Sequence, residues 1–169
     1  MAEYQPKQRI VPVDILSHRG WLSANTRVGE LNYFMDAINA APLFIRLSDV
    51  QFEDGKKLSF LSLRRQAIDL ILPREAENKI LRENLAEKGE AKVVCLLKEE
   101  SVQGELRLLP EIRMSDFMAK CSGFFPLREA RQYTWDSDET RTKIDRFSKS
   151  PITLVNAQSI VGITEVGSP

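Results

Sequence analysis

Apolar and polar positions alternate with a period of two through most of this chain, and the alternation is broken by turn residues every ten residues or so. Ile10–Leu16 and Trp21–Asn25 read as two strands around the polar turn Ser17-His18-Arg19-Gly20. Leu43–Phe52 and Leu58–Leu63 read as a second hairpin, because Asp54-Gly55 between them supplies a residue that tolerates positive φ. Ala67–Leu72 completes the first set of strands. A helical spacing intervenes once: Leu31, Phe34, Met35 and Ile38 share one face, with Thr26 as candidate N-cap, Glu30 near the positive end and Pro42 as the stop. Pro12 marks Ile10–Leu16 as an edge or a strand start.

Pro73 to Gly89 differs in kind. It is dense in Glu, Lys and Arg around a narrow stripe of Ile80, Leu81 and Leu85, and it predicts a charged connecting helix. The strand pattern then resumes with Val93–Leu97 and Val102–Leu109. A short helix follows from Ser115 to Lys120, then a long strand from Phe124 to Trp135 and a polar tip at 136–143. Ile152–Val155 and Ser159–Val166 close the series across Asn156-Ala157.

The two stretches can be laid over one another. Phe60–Ile71 aligns without a gap on Ile152–Ile163, so that Gln66, Ile68 and Ile71 recur as Gln158, Ile160 and Ile163. Phe44, Leu47, Asp49 and Val50 fall on Phe124, Leu127, Glu129 and Ala130. Arg27–Leu31 falls on Arg113–Phe117, and Gly20 is matched to Gly104. Three blocks in one order predict a duplication. The fold expected is α+β, mainly β: two tandem small β-barrel-like, bent-sheet modules, each with one short helix, joined by a charged helix. The expected boundaries are a polar arm at 1–9, module one at 10–73, the connecting helix at 74–90, module two at 91–166 and a tail at 167–169. Modules this small bury a low fraction of their surface, so the two should pack together and share a core.

Composition narrows the role. The chain has 169 residues, 43% hydrophobic, with 24 Lys and Arg against 24 Asp and Glu. This balance disfavours a dedicated nucleic-acid binder, which is usually basic. No apolar run reaches bilayer length and the first residues lack the apolar core of a secretory signal, so a cytoplasmic location is expected. Cys95 and Cys121 are expected as free thiols.

Chemistry is sparse. His18 is the only histidine and no nucleophile elbow lies near it, so no catalytic residue is assigned. No metal-ligand spacing or glycine-rich phosphate loop is present, and neither metal nor cofactor is assigned. Asp136, Asp138 and Glu139 read as a solvated acidic loop. Lys56-Lys57, Arg64-Arg65, Arg128 and Arg131 beside Phe52 or Tyr133 are the material for a basic, aromatic patch, but Glu53, Asp54, Glu129 and Asp136 interleave with them and a mixed surface is expected instead.

Gly104, Arg113, Ser115, Asp116, Phe117, Phe124, Leu127, Ala130, Val155, Asn156 and Ile160 carry a resemblance to a group of bacterial domains of unknown function. Their text is Arg-x-Ser-Asp-Phe, Phe-x-x-Leu-x-x-Ala and Val-Asn-x-x-x-Ile. The second stretch matches over most of its length. In the first, Gly29 and Glu30 replace Ser-Asp, and Arg64 stands where Asn156 does. The strand order also looks like small barrels of the Sm and SH3-like type. The resemblance implies an interaction module more than a chemistry. Arg27 with Glu30, and Arg113 with Ser115 and Asp116, are read as structural motifs, an ion pair and a helix cap.

The expected role is a non-enzymatic adaptor or structural subunit of a larger bacterial assembly, binding other protein subunits, a homo-oligomer included, through strand edges, for which Pro12 and the long Phe124–Trp135 strand mark the candidates. Trp21, Phe125, Arg128, Arg131, Tyr133 and Trp135 are the candidate interface residues, with a place in the core as their alternative. The rival role is an Sm-like regulator of single-stranded RNA or DNA. A third is a sensor holding a small ligand between the modules.

Overall fold

The computed structural model describes residues 3–82, 89–133 and 145–167. Its ten strands are β1 Gln8–Ser17, β2 Gly20–Gly29, β3 Phe44–Phe52, β4 Lys57–Arg64, β5 Ile68–Pro73, β6 Gly89–Leu96, β7 Ser101–Leu108, β8 Phe124–Gln132, β9 Ile152–Asn156 and β10 Gly162–Glu165. The helices are α1 Phe34–Ala40, α2 Glu77–Ile80 and α3 Met114–Lys120. All strands join one antiparallel sheet in the order β10-β6-β7-β8-β9-β5-β1-β2-β3-β4. The molecule is mainly β, but separate barrels are not formed. The order is open, because β5 turns away from β4 and pairs with β9 instead.

The turns follow their residues. Gly20 has φ +91 and closes the β1–β2 hairpin, while the Ser17 hydroxyl donates to Gly20 O at 3.0 Å. Gly55 has φ +89, and Lys56 N donates to Asp54 Oδ1 at 3.0 Å.

Other expectations are corrected. Thr26 caps no helix; it is a buried residue of β2 whose hydroxyl donates to Arg46 O at 3.1 Å. β2 continues to Gly29, so the first helix starts only at Phe34 and Leu31 is left 95% exposed. The charged connecting helix is reduced to the single turn of α2. Ile80 and Leu81 are both buried, and at Leu81 the chain returns to extended backbone (φ −122, ψ 143). Residues 83–88 lie outside the described set, and Gly89 already belongs to β6. Arg9, assigned to a polar arm, enters β1 and clamps the loops beneath it. Its guanidinium pairs with Glu75 and donates to the carbonyls of Gly29 and Asn32 at 2.7 and 2.9 Å.

Pro12 does not mark an edge. β1 pairs with β2 on one side and β5 on the other. The Pro12 carbonyl accepts from Arg74 N at 2.9 Å, just beyond the last paired residue of β5, so the missing N–H falls where the ladder has ended. Nor is β8 an edge, since β7 and β9 flank it. The unpaired edges among the described strands are β4 and β10.

The pairing within residues 8–73 is β5-β1-β2-β3-β4, and within residues 89–165 it is β10-β6-β7-β8-β9. Several details agree. Leu22 faces Phe52 as Val102 faces Gln132, and a register shift follows at Ser23/Asn25 as at Gln103/Glu105. Among the described residues, Asp49 and Glu129 are the two non-glycine residues with positive φ, at 50 and 47, and each stands in the third strand of its set, 80 residues apart (129 against 49).

Two apolar cores result, and they interlace. One holds Val13, Leu22, Phe34, Leu47 and Ile71, but also Phe124, Ile152 and Leu154 from the second set. The other holds Val93, Val102, Leu127 and Val155, but also Leu16, Trp21, Leu70 and Leu72 from the first. Every residue of β5 and β9 is buried, so these central strands serve one core with each face.

Candidate interaction surface

Five of the six anchors proposed from sequence have a definite place. Trp21 is 7% exposed and belongs to the core. Its ring meets Phe147 edge-on at 6.1 Å, Arg146 lies over it at 4.7 Å, and its Nε1 donates to Glu100 Oε1 at 3.0 Å. Phe125 is also buried, edge-on to Phe117 at 5.5 Å. Both are withdrawn from the surface. Both faces of β2 and β8 are covered at these positions, since Leu22 and Phe124 beside them are buried in the other core, which aromatic identity alone did not reveal.

Arg128 is half-buried and pairs with Glu77, pinning α2 to β8. Arg131 is exposed and reaches Gln103 Oε1 at 3.4 Å. Tyr133 is half-buried, and its backbone N–H donates to Ser101 O at 2.8 Å. Trp135 and the acidic tip at 136–143 lie outside the described residues. The basic groups do not form one patch. Arg128 and Arg131 are on β8, and five strands separate them from Lys57 and Arg64 on β4.

The motif residues also divide. Arg27 and Glu30 are exposed, and no ion pair joins them; Arg27 is a strand residue of β2. Arg113 is exposed at the N-cap of α3, and the helix begins at Met114 with no side-chain cap bond, so neither Ser115 nor Asp116 caps it. Asp116 stands in the first turn of α3 as Asp36 does in α1. This helix register replaces the match of Arg27 to Arg113. Gly20 is not the counterpart of Gly104 either: it sits in a turn, whereas Gly104 is a mid-strand residue opposite Val93, as Ala24 is opposite Val13.

Asn156 is the exception, a buried side chain with a full set of tasks. Its Nδ2 donates to Ile68 O on β5 at 2.9 Å, and its Oδ1 accepts from Gln158 N at 3.1 Å. It closes one end of the β5–β9 seam. Ser150 closes the other, its hydroxyl donating to Pro73 O at 2.6 Å. Asn39, overlooked in the sequence, holds the halves at a second point: its Nδ2 donates to Phe124 O at 3.1 Å and its Oδ1 accepts from Phe124 N at 2.8 Å.

Part of the exposed apolar surface lies at the ends of the sheet, and the rest at Tyr4, Ile10, Leu31, Leu43 and Ile112. On β4, Leu58 is 43% and Phe60 58% exposed, and Phe44 of the neighbouring β3 is 42% exposed under the Arg64 guanidinium, 5.3 Å from its ring. Two open grooves flank this strand. One, of about 570 Å³, is lined by Val28, Ile38, Phe44 and Phe60; the other, of about 600 Å³, by Leu22, Phe52, Leu61 and Leu63. At the far end, Val161 is 75% and Val166 42% exposed beside β10. Neither β4 nor β10 contains a proline or a register shift against its neighbour; β4 is blunted by the charges of Lys57 and Arg64, and β10 by its four-residue length and Glu165. Between the halves, a cavity of about 150 Å³ lined by Arg65, Gln66, Ser122 and Gln158 is smaller than the ~300 Å³ lower bound of small-molecule pockets.

Ionisable groups are scattered. Asp14 is buried, accepting from Ser23 Oγ and from Arg74 Nη2 at 2.6 Å each. His18 Nε2 lies 3.6 Å from Asp69. Burial pushes the Cys95 thiol up to about 12. Burial also raises Cys121, while its hydrogen bond to Gly123 O works the other way. No group of three or more His, Cys, Asp or Glu side chains is placed to hold a metal among the described residues, and no helix among them is long and apolar enough to cross a membrane. Comparison with protein-family models, with curated proteins and with solved structures gave no match.

Proposed function

We propose that this chain is a non-enzymatic structural subunit or adaptor of a larger bacterial protein assembly, built from two copies of one five-stranded unit, and that it meets its partners through the ends of its sheet. The observation that carries this reading is the pair of unpaired edges. β4 presents Leu58 and Phe60, with Phe60 lining one open groove and Leu61 and Leu63 another, and Val161 and Val166 flank β10. Backbone N–H and C=O groups in a row beside exposed apolar side chains fit strand addition, in which the main chain supplies affinity and the grooves supply selectivity. The duplication is supported by the matching strand orders, register shifts and positive-φ residues of the two sets. The free thiols of Cys95 and Cys121 suit the cytoplasm.

The test is affinity purification of the native protein and identification of what accompanies it, with Phe60→Lys as control. A protein partner retained at high salt and lost in the variant is the expected result. Steep salt-dependent binding of single-stranded RNA in place of a protein partner overturns it.

A further inference from the structure

The molecule already contains the joint that its two free edges lack. At the seam, β5 pairs with β9 antiparallel, Leu70 opposite Val155 and Ile71 opposite Leu154. In the ungapped alignment of the closing strands, β9 corresponds to β4 and β5 corresponds to β10. The free edges are therefore the same two surfaces as the seam, each without its mate. Burial reflects this. Ile152 of β9 is 0% exposed, while its counterpart Phe60 on β4 is 58% exposed. Asp69 of β5 is 6% exposed, while its counterpart Val161 is 75% exposed.

We infer that β4 of one chain pairs antiparallel with β10 of a second copy, in the register of the internal seam. Leu63 then lies opposite Gly162 and Ser62 opposite Ile163. The backbone is ready for this register. Arg65 N donates to Leu43 O, and strand alternation from there turns the Ser62 N–H away from β3. Val166 N donates to Lys92 O, and the same alternation turns the Ile163 N–H away from β6. The two outward amides face each other, as a hydrogen-bonded antiparallel pair requires. Arg64 occupies the place of Asn156, with a donor for the Ile160 carbonyl where Asn156 serves that of Ile68. The two surfaces are unlike, so the contact is head-to-tail and leaves one free β4 and one free β10 in any open assembly. This inference rests on the subunit reading above and names its partner as the chain itself.

Ser62→Pro and Ile163→Pro test it, since each removes one outward donor and none from the existing ladder. Light scattering should show the wild-type chain gaining mass with concentration, and each variant at the mass of one chain. An equimolar mixture of the two variants, each with one intact edge, should form a complex of exactly two chains. A second measurement covers a variant that fails to fold. In a Cys121→Ser background, Leu61→Cys chains mixed with Thr164→Cys chains should form a mixed disulfide on mild oxidation, because this register sets those positions opposite each other. A wild-type chain that stays single, a variant that assembles like wild type, or a disulfide between two Leu61→Cys chains overturns the inference. If the chain stays single but another protein accompanies it on purification, self-assembly falls and the subunit reading stands. If it neither assembles nor brings down a protein, both fall.

Discussion

Cys95 shows how a single buried residue sets a response to pH. It is 0% exposed on β6, and burial lifts its thiol from 9.0 to about 12. Below pH 9 the thiol is protonated folded or unfolded, so it adds no pH dependence. Between about 9 and 12 the unfolded chain releases the proton and the folded chain keeps it, so stability falls with rising pH. The slope is about 1.4 kcal/mol per pH unit for one such group. Cys95→Val lacks this term. Urea unfolding of both proteins from pH 8 to 11 should give a difference that is flat to pH 9 and then moves in favour of the variant; parallel curves throughout would contradict the assignment. Gly104 makes a second case. A Cβ there meets Leu127 Cβ at 2.9 Å and the Arg128 carbonyl at 3.1 Å, one of them backbone. Its counterpart Ala24 is accommodated on β2. Gly104→Ala should cost ~1–3 kcal/mol in denaturant unfolding, as overpacking of a fixed core does, and a neutral result would mean that β8 can shift.

Among the elements, the hairpins were legible because each carries its own turn chemistry. Ser17–Gly20 and Asp54-Gly55 announce themselves locally, and apolar runs of strand length stand on either side of each. The closing strands were legible because Phe60–Ile71 and Ile152–Ile163 align without a gap. Harder features depend on partners distant in the chain. The start of α1 was set too early because β2 keeps pairing with β1 as far as Gly29, opposite Gln8, and local capping signals at Thr26 do not reveal that. The linker was drawn as a helix from its charges, yet Glu77 and Glu75 are engaged by Arg128 and Arg9. The edge strands were misplaced for the same reason. Pro12 looks like an edge residue only until the end of β5 is known. Of the interface candidates, Trp21 and Phe125 proved inward-facing, while the exposed Phe44, Leu58 and Phe60 of β3 and β4 were read simply as strand pattern.

For the molecule as a whole, the shared cores decide what can stand alone. The first core takes Phe124, Ile152 and Leu154 from beyond residue 88, and the second takes Leu16, Trp21, Leu70 and Leu72 from before it. Cutting the chain at that point strips large apolar side chains from both. Losing even one such side chain from a core costs ~2–5 kcal/mol, against a typical total of ~5–15. Fragments 1–88 and 89–169 made separately should therefore give collapsed amide spectra, and should recover dispersed spectra when co-expressed. A dispersed spectrum from either fragment by itself would show that the cores are separable.

The seam that unites the cores has an unusual balance of forces. Two paired residues join β5 to β9, whereas ten join β1 to β2, yet every side chain on both central strands is buried. Adhesion there comes from water avoidance far more than from amide bonding. That driving force fades as temperature drops, while hydrogen-bonded ladders do not share the trend. Cooling is thus the condition under which this junction loses most of its driving force, and the shared cores weaken with it.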